Sequence, residues 1–293
     1  MSTAPLLSIG LFLYNGDRFL EAAIESILNQ TFRDFELIIS DNCSTDGSEE
    51  ICRSFAAQDS RIRYYRAEHE MSGGWNLRDV YFRASGKYFK WATHDDMIQP
   101  DYLRLCIDAL EADDSLVVAH TLTRCIDESG QFVESDDERL RTSSVDPVVR
   151  ARDLMLKRHG GYPVSGIIRL DALHKLPPRG SYEHSDRVLL LQLGLLGRFY
   201  EVPEHLSICT KHTLPAVSVQ GEQSRKPVFP EWNAAREFAR SVSQSSLSRS
   251  QRLKCYGVIM RWALSNLQNR HATVATPAPL GSLDLNPRGE ESI

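Results

Sequence analysis

Residues 6–13 read LLSIGLFL, and this apolar run ends at the turn residues YNGD of positions 14–17. Eight mostly apolar residues that stop at a turn have the length of a buried β-strand. Apolar residues then recur at helical spacing over Phe19–Gln30, and a second apolar run, FELIIS, follows at Phe35–Ser40. This order of strand, helix and strand predicts a mostly parallel sheet that helices flank on both faces.

The same alternation continues along the first half of the chain. Helices are predicted at Ser48–Gln58, Trp75–Ala84 and Tyr102–Ala112, and strands at Ile62–Tyr65, Tyr88–Ala92 and Leu116–His120. Because such sheets bind ligands beyond the carboxyl ends of their strands, the residues after each strand are the first candidates for a site.

The second half of the chain is less regular. The pattern predicts a hairpin over Thr121–Val133 and then a mobile acidic loop at Glu134–Pro147. A strand is predicted at Val164–Arg169 and a helix at Ser185–Leu196. Two separate strands are predicted after this helix, at Phe199–Val202 and Leu206–Cys209. Two terminal helices are predicted at Glu231–Arg240 and Arg249–Asn269.

Composition excludes several classes of protein. The 293 residues carry 34 Lys and Arg against 39 Asp and Glu, a net charge of −5, which is a poor match for a nucleic-acid binder. No apolar run reaches the roughly 18 residues of a membrane-spanning helix, and Met1–Leu7 lacks the features of a secretory signal. The six cysteines form no Cys-x-x-Cys pair, which fits a reducing compartment and predicts a cytoplasmic protein.

The strongest local signal for chemistry is His94-Asp95-Asp96, directly after the predicted strand Tyr88–Ala92. Two adjacent carboxylates repel each other, and a divalent cation removes that cost. In extended backbone their side chains point to opposite sides, so one can ligate a metal while the other contacts a ribose or the same metal. The alternative is a solvated acidic turn.

Asp41 ends the second predicted strand, where its carboxylate can accept hydrogen bonds from a nucleotide base or ribose. Asp46 follows in a Ser-Thr-Asp-Gly turn. Helix capping is an alternative for both residues, and it is the favoured interpretation for Asp46 because it lies nearer the helix start.

Several pieces of the chain occur in a recognisable order: Ser8–Asn15 (SIGLFLYN), Leu20 with Ser26–Thr31 (SILNQT), Glu36–Asp46 (ELIISDNCSTD), Gly73 and Gly74 with Asn76, Ala84–Tyr88 (ASGKY) and His94-Asp95-Asp96. With this order and spacing, residues 6–110 resemble glycosyltransferase family 2, whose members have the GT-A fold. The second half resembles that family more loosely.

The resemblance implies transfer of a sugar from a nucleotide-diphosphate donor to an acceptor hydroxyl, usually with inversion, and a Mn²⁺ or Mg²⁺ cofactor. Asp96 is implied as the direct metal ligand, and Asp95 as a contact either of the ribose or of the same metal. The donor-binding residues that it implies are Tyr14, Asn15, Asp41, Asn76, Asp95 and His212. His94 replaces a small or acidic residue of many relatives, and turn support or packing is favoured slightly over ligand contact.

An inverting displacement needs a base that takes the proton of the acceptor hydroxyl. The family usually carries it in a Glu-Asp pair at a helix start, and here Asp186 matches the Asp while Ser185 replaces the Glu. Asp186 is therefore the implied base and Glu183 the fallback. Helix capping by Ser185, with Asp186 interacting with the helix dipole, is the non-catalytic alternative.

His212 and Lys211 follow the last predicted strand of the domain. Relatives often place a late His or Arg near the diphosphate or metal, and Lys211 would neutralise phosphate. An exposed loop pair is the equally weighted alternative.

The expected organisation is a GT-A domain over residues 1–230, a helical appendage over 231–271 and a disordered tail over 272–293. The expected function is glycosyl transfer in polysaccharide biosynthesis, to a sugar, lipid-linked or small-molecule acceptor. The basic and apolar segment Arg249–Arg270 would either pack on its own domain or make peripheral contact with the inner face of a membrane. The alternative functions are a sugar-1-phosphate nucleotidyltransferase and a non-catalytic nucleotide-sugar-binding protein.

Overall fold

The computed structural model describes residues 4–136, 139–157, 159–177, 183–212 and 230–274. Within these residues the chain forms one sheet of nine strands and nine α-helices. The strands are β1 (Leu7–Leu13), β2 (Phe35–Asp41), β3 (Ile62–Arg66), β4 (Tyr88–Ala92), β5 (Met97–Ile98), β6 (Leu116–Asp127), β7 (Phe132–Asp136), β8 (Ile167–Arg169) and β9 (Arg198–Lys211). The helices are α1 (Asp17–Leu28), α2 (Ser48–Gln58), α3 (Gly73–Phe82), α4 (Tyr102–Ala112), α5 (Pro147–Leu156), α6 (Leu170–His174), α7 (Ser185–Leu196), α8 (Pro230–Gln244) and α9 (Arg249–Val274).

The sheet is mostly parallel, as the alternation of strands and helices predicts. Its strand order is β3-β2-β1-β4-β8-β6-β9-β5, and β7 pairs with β6 outside this path. The first four strands of that order are mutually parallel, and β6 is parallel to β9. The short strand β8 joins the two parallel groups by antiparallel pairing on both sides.

Both faces of the sheet are covered because successive side chains of the central strands point in opposite directions. In β2, Leu37 and Ile39 enter one apolar cluster with α1 and α4, whereas Ile38 enters a second cluster with α3 and α7. Gly10 of β1 lies under α3, where an added Cβ would come within 2.7 Å of Val80 Cβ. A glycine at this position therefore allows α3 to approach the sheet closely.

Several segments differ from the predicted elements, and β5, α6 and the continuation of β6 to Asp127 as one strand were not predicted. Residues Tyr162–Ser165 form a 3₁₀ turn, so the strand predicted from Val164 begins only at Ile167. Pro163 in this turn has no backbone N–H to donate to a sheet. The loop predicted from Glu134 is also wrong at its start, because β7 extends to Asp136.

β9 is one continuous strand where two were predicted. Its register against β6 shifts twice near Leu122, between the pairs formed by Val202, His205 and Ser207. The irregularity accommodates Pro203, which cannot donate a hydrogen bond to the neighbouring strand.

The C-terminal helices pack on the domain through a third apolar cluster, which includes residues of α5, α7, α8 and α9. The rings of Phe238 and Trp262 meet edge to face at 5.0 Å in this cluster. The predicted boundaries near 230 and 271 remain predictions, since residues 213–229 and 275–293 lie outside the described residues. Across the part of the chain that the structure describes, no helix combines the length and apolarity needed to cross a membrane.

Glu36 is a buried acid that ties the central strands together. Its carboxylate accepts hydrogen bonds from Ser8 Oγ at 2.6 Å, from Ser85 Oγ at 2.7 Å and from Arg63 Nη1 at 2.7 Å. Burial by itself raises the pKa of Glu36, but these hydrogen bonds more than offset it and hold the pKa below its ordinary value.

The substitution Glu36→Gln is expected to lower the free energy of unfolding by about 2 kcal/mol at neutral pH, because hydrogen bonds to a charged acceptor are lost. Because the pKa of Glu36 is lower in the folded protein than its ordinary value of 4.5, the ionised carboxylate stabilises the folded state above pH 4.5. This stabilisation is lost as the pH falls through the pKa that Glu36 has in the folded state. The deficit of the variant should therefore shrink below pH 4.5 in denaturant titrations. The exposed Glu21→Gln on α1 is the control, and an equal deficit at all pH values would contradict the assignment.

Candidate active site

The carboxyl ends of β1, β2 and β4 form one edge of the sheet, as predicted. Leu13 pairs in register with Asp41, and Leu11 pairs with Ala92. The loops that follow are joined by hydrogen bonds to the Leu13 carbonyl, which accepts from the Asn42 backbone N–H at 2.9 Å and from Asn76 Nδ2 at 2.9 Å. The candidate residues at these strand ends are thus brought to one side of the molecule.

Asn15 and Asp46 form hydrogen bonds that connect the loop after β1 to the loop after β2. Asn15 has a positive φ of 49°, its backbone N–H donates to Ser44 Oγ at 2.9 Å, and its Oδ1 accepts from the Thr45 N–H at 2.8 Å. Asp46 accepts from the backbone N–H groups of Asp17 at 3.1 Å and Ser48 at 3.0 Å, at the starts of α1 and α2. The capping interpretation of Asp46 fits this geometry.

Asp41 is fully buried, and both of its carboxylate oxygens have partners inside the chain. Oδ1 accepts from the Ser44 N–H at 2.8 Å, and Oδ2 accepts from the Tyr64 hydroxyl at 2.7 Å. Burial and the neighbouring carboxylate raise the pKa of Tyr64, so its hydroxyl keeps its proton. The predicted contact of Asp41 with a nucleotide therefore requires a movement of these partners, and it stays a prediction.

Tyr14 and Asn76 flank the same edge. The Tyr14 hydroxyl donates to Glu70 Oε2 at 3.3 Å. Asn76 is 4% exposed, and its Oδ1 is buried without a hydrogen-bond partner among the described residues. A buried amide oxygen without a partner is costly in a folded protein, which is consistent with a role for Asn76 in holding a ligand.

A chain of charged contacts connects the acidic pair to three other elements. Asp95 Oδ2 lies 2.7 Å from His212 Nε2, and His212 Nδ1 lies 3.0 Å from Glu128 Oε1. Glu128 in turn pairs with Arg18 at 2.6 Å. The hydrogen bond to Asp95, with a further one to Glu128, raises the pKa of His212 above its ordinary value.

Asp96 is half-buried and follows a bend at His94 and Asp95, so the extended backbone on which the predicted alternation of the two side chains depends is not present. Asp96 Oδ1 accepts from the Thr210 backbone N–H at 3.2 Å, while the Thr210 hydroxyl donates to the Asp95 carbonyl at 2.6 Å. Burial, and after it the charge of Asp95, raises the pKa of Asp96 to about 6. A half-buried carboxylate whose pKa is raised in this way, beside a second carboxylate, is a candidate for binding a cation.

Lys90 lies behind the acidic pair, 4% exposed in the middle of β4. Its Nζ donates to the Ser165 carbonyl and lies 4.7 Å from the centre of the Tyr102 ring. Burial lowers the pKa of Lys90 to about 8. Lys90 and Asp96 both line a cavity of about 20 Å³, which has the size of one water molecule.

His94 packs against the first loop. A Cβ added to Gly16 would come within 2.3 Å of His94 Cδ2, so the imidazole lies directly over the glycine backbone. Burial lowers the pKa of His94 and favours its neutral form. The packing interpretation of His94 fits this geometry better than ligand contact.

The predicted base lies at the start of α7. Asp186 is exposed in the first turn of this helix, and Glu183 is exposed just before it. A Cβ added to Gly161 would lie 3.9 Å from Asp186 Cβ, so the Gly160-Gly161 loop passes beside the carboxylate. The next residue, Tyr162, places its hydroxyl 3.6 Å from Cys209 Sγ, one residue before Thr210.

Three residues of this corner were missed by the sequence analysis: Glu128, Thr210 and Lys90. Glu128 lies in the predicted turn after β6, and Thr210 lies near the end of β9, but their contacts depend on pairing between distant strands. A lysine inside an apolar strand was the one local signal available, because Lys is almost never fully buried without a partner.

An apolar cavity of about 310 Å³ lies elsewhere, between α3, β4, α6 and α7. Its walls include Leu77, Trp91 and Leu189, and no carboxylate of the described residues lines it. Because hard divalent cations prefer carboxylate oxygen ligands, the strand-end region with its acidic pair is the better candidate for diphosphate chemistry.

The carboxylates of Asp95 and Asp96 supply oxygen atoms of the kind that hard divalent cations prefer. Asp95 Oδ2 and His212 Nε2 are 2.7 Å apart, which is a hydrogen-bond distance, so the two side chains meet at one point of the strand-end region. Among the described residues, no group of three or more His, Cys, Asp or Glu side chains is arranged to hold a metal ion. Few protein ligands are typical of ions that are completed by phosphate oxygens and water.

Comparison with known proteins identifies the family of this chain. The sequence model described as "Glycosyl transferase family 2" matches residues 8–176, more than half of the chain. The chain belongs to glycosyltransferase family 2. The predicted family is therefore confirmed, and it covers β1 to α6 of the fold.

Curated relatives of this family 2 chain are longer proteins. The chain is 27% identical to the chondroitin synthase of Escherichia coli over 198 residues, which are 64% of this chain and 29% of that protein. It is 24% identical to the hyaluronan synthase of Pasteurella multocida over 198 residues, or 64% of this chain and 20% of that protein. The chain thus spans less than a third of either relative.

Solved structures confirm the GT-A fold. The crystal structure of S. aureus TarS in complex with UDP-GlcNAc matches with a TM-score of 0.70 at 16% identity, over 92% of this chain and 76% of that chain. The mannosyltransferase PcManGT from Pyrobaculum calidifontis, in complex with GDP-Man and Mn²⁺, matches with a TM-score of 0.54 at 14% identity. That match covers 95% of this chain and 78% of that chain.

The substitution Gly16→Ala tests the contact between the first loop and His94. The added methyl group should displace the imidazole and destabilise the protein by about 1–3 kcal/mol in thermal or denaturant unfolding. The control is Gly257→Ala in α9, where an added Cβ meets no atom within 4 Å. That control should be neutral or stabilising by up to about 1 kcal/mol, and equal effects of the two changes would contradict the contact.

Proposed function

We propose that the chain transfers a sugar from a nucleotide-diphosphate donor to an acceptor hydroxyl, with inversion and with the help of a divalent cation. The observation that carries the proposal is the 2.7 Å contact between Asp95 and His212 at the carboxyl ends of β4 and β9. Family membership supports the transferase chemistry, and the UDP-GlcNAc and GDP-Man complexes of its structural neighbours support a nucleotide-sugar donor.

Asp95, Asp96 and His212 are the residues that would hold Mn²⁺ or Mg²⁺. When bound, the cation offsets the negative charge that develops on the leaving diphosphate. Glu128 orients the imidazole of His212 through Nδ1, and Thr210 holds the backbone and side chain of the acidic pair. The nucleotide would lie along the edge formed by Tyr14, Asn15, Asp41 and Asn76.

Asp186 is the proposed base. Its position in the first turn of α7 favours the charged carboxylate, because helix N-termini stabilise negative charge. Exposure leaves the carboxylate accessible to an acceptor hydroxyl, and the Gly161–Tyr162 segment connects it to the strand that carries Thr210 and His212. The proton of the acceptor would move to Asp186 as the hydroxyl oxygen attacks the anomeric carbon.

The first experiment is a thermal-unfolding screen with UDP, GDP, ADP and TDP, each with and without Mn²⁺. A diphosphate at 100 times its Kd should stabilise the native protein by about 2.7 kcal/mol. We expect one or two of them to do so, and only with Mn²⁺. Failure of every diphosphate to raise the melting temperature would contradict the proposal.

Asp95→Asn and Asp96→Asn should each weaken Mn²⁺-dependent binding of the diphosphate found in that screen by about tenfold or more, because a charged oxygen ligand is lost. Isothermal titration measures the affinity. Asp114→Asn is the control, since the Asp114 side chain is 98% exposed. Unchanged affinity in both variants would refute the metal site.

Asp186→Asn should lower kcat by about 10²–10⁴-fold and leave donor affinity unchanged, since the base acts in the chemical step. Glu183→Gln is the matched variant, two positions before the first residue of α7, and it should retain activity. Loss of kcat in Glu183→Gln together with retained activity in Asp186→Asn would assign the base to Glu183. Release of nucleoside diphosphate from a panel of nucleotide sugars provides the assay, whereas release of pyrophosphate from nucleoside triphosphates would indicate a nucleotidyltransferase.

A further inference from the structure

Helix α9 presents apolar residues on two opposite faces. Its inner face, formed by Cys255, Ile259 and Trp262, is buried in the third apolar cluster. Trp262 there contacts the ring of Phe238 at 5.0 Å and that of His184 at 5.3 Å. These contacts fix the rotation of α9 about its axis, so its outer face has a defined direction.

The outer face carries a line of residues at positions i, i+4, i+7 and i+11, which we name the outer stripe: Leu253, Gly257, Met260 and Leu264. Leu253 is 70% exposed, Met260 61% and Leu264 54%. Scattered exposed apolar residues are normal, but three large ones in a line on one helix face indicate a surface that contacts a partner.

The charged side chains of α9 itself are all positive. Residues 249–274 contain Arg249, Arg252, Lys254, Arg261 and Arg270, and no Asp or Glu, although the whole chain has a net charge of −5. Lys254 and Arg261 are exposed, and each follows a stripe residue directly in sequence, so they flank the stripe along one side. The partner should therefore combine an apolar layer with negative charge.

We propose that the outer stripe docks on the surface of an anionic phospholipid bilayer. Leu253, Met260 and Leu264 would enter the boundary between headgroups and acyl chains, while Lys254 and Arg261 contact the lipid phosphates. Pairing with a second copy through the same stripe would oppose like charges. A nucleic acid would neutralise the cations but leave the stripe in water.

This docking would also orient the proposed active site. The inner face of α9 contacts His184, two residues before Asp186, so the membrane would lie about one helix diameter, roughly 10 Å, beyond that helix start. A lipid-linked acceptor is the acceptor class that such an arrangement favours. That last step rests on the proposed function, whereas the docking itself does not.

The test uses the full chain, without nucleotide or metal, and sedimentation with vesicles. Vesicles of phosphatidylcholine and phosphatidylglycerol should bind the protein, and added salt should weaken the binding. The triple substitution Leu253→Gln, Met260→Gln and Leu264→Gln should lower the partition coefficient about tenfold or more. The pair Lys254→Glu and Arg261→Glu should lower it by a similar factor.

Two exposed positions provide matched controls: Val145→Gln, 83% exposed before α5, and Lys175→Glu, 63% exposed after α6. Both should bind vesicles like the unaltered chain, and thermal unfolding checks that every variant is folded. The proposal is overturned if the unaltered chain does not bind anionic vesicles, or if the stripe variant binds them as strongly as the unaltered chain does. Light scattering checks for a dimer of the unaltered chain. A dimer that the triple stripe variant no longer forms would assign the outer stripe to contact with a second copy, and this result would also overturn the proposal. Because no step requires catalysis, failure here leaves the proposed function intact.

Discussion

The pairing of β6 with β9 is the constraint on which the candidate site depends. These strands run parallel for most of their length, and their register places Asp127 opposite Lys211. The residues that follow each strand, Glu128 and His212, therefore meet at the same edge of the sheet. The carboxyl end of β9 also reaches β5 and the loop before it, which brings Thr210 and His212 against the acidic pair after β4.

The acids of the sheet and its loops differ in how their charge is compensated. Glu36 and Asp41 each accept short hydrogen bonds from neighbouring donors. These hydrogen bonds connect strands and loops, which is a structural role. Asp96, which is half-buried in the loop after β4, accepts a backbone hydrogen bond at 3.2 Å, and burial outweighs the contributions of Thr93, Thr210 and Lys90 so that its pKa is raised to about 6. An acid whose pKa is raised in this way at a strand end is more characteristic of a functional site than of a structural one.

The two halves of the proposed chemistry come from different parts of the fold. The proposed metal ligands Asp95, Asp96 and His212 lie at the carboxyl ends of the parallel strands, whereas Asp186 lies on α7, which packs on α5 and α8 through the third apolar cluster. The same cluster supports α9. Packing of the C-terminal helices is thus coupled physically to the start of α7, and through the Gly161–Tyr162 segment to β9.

The sequence by itself determined the alternation of strands and helices, the strand ends that carry Asp41 and the acidic pair, and the family. These features depend on periodicity, turn residues and local spacing, which a linear sequence contains. Only the tertiary structure decided that His212 meets Asp95, 117 positions away, and Glu128, 84 positions away. It also decided that Asp41 is enclosed by Tyr64 and that α9 leaves an apolar stripe exposed. Such contacts depend on strand order, register and helix rotation, which are set by packing between elements far apart in the chain.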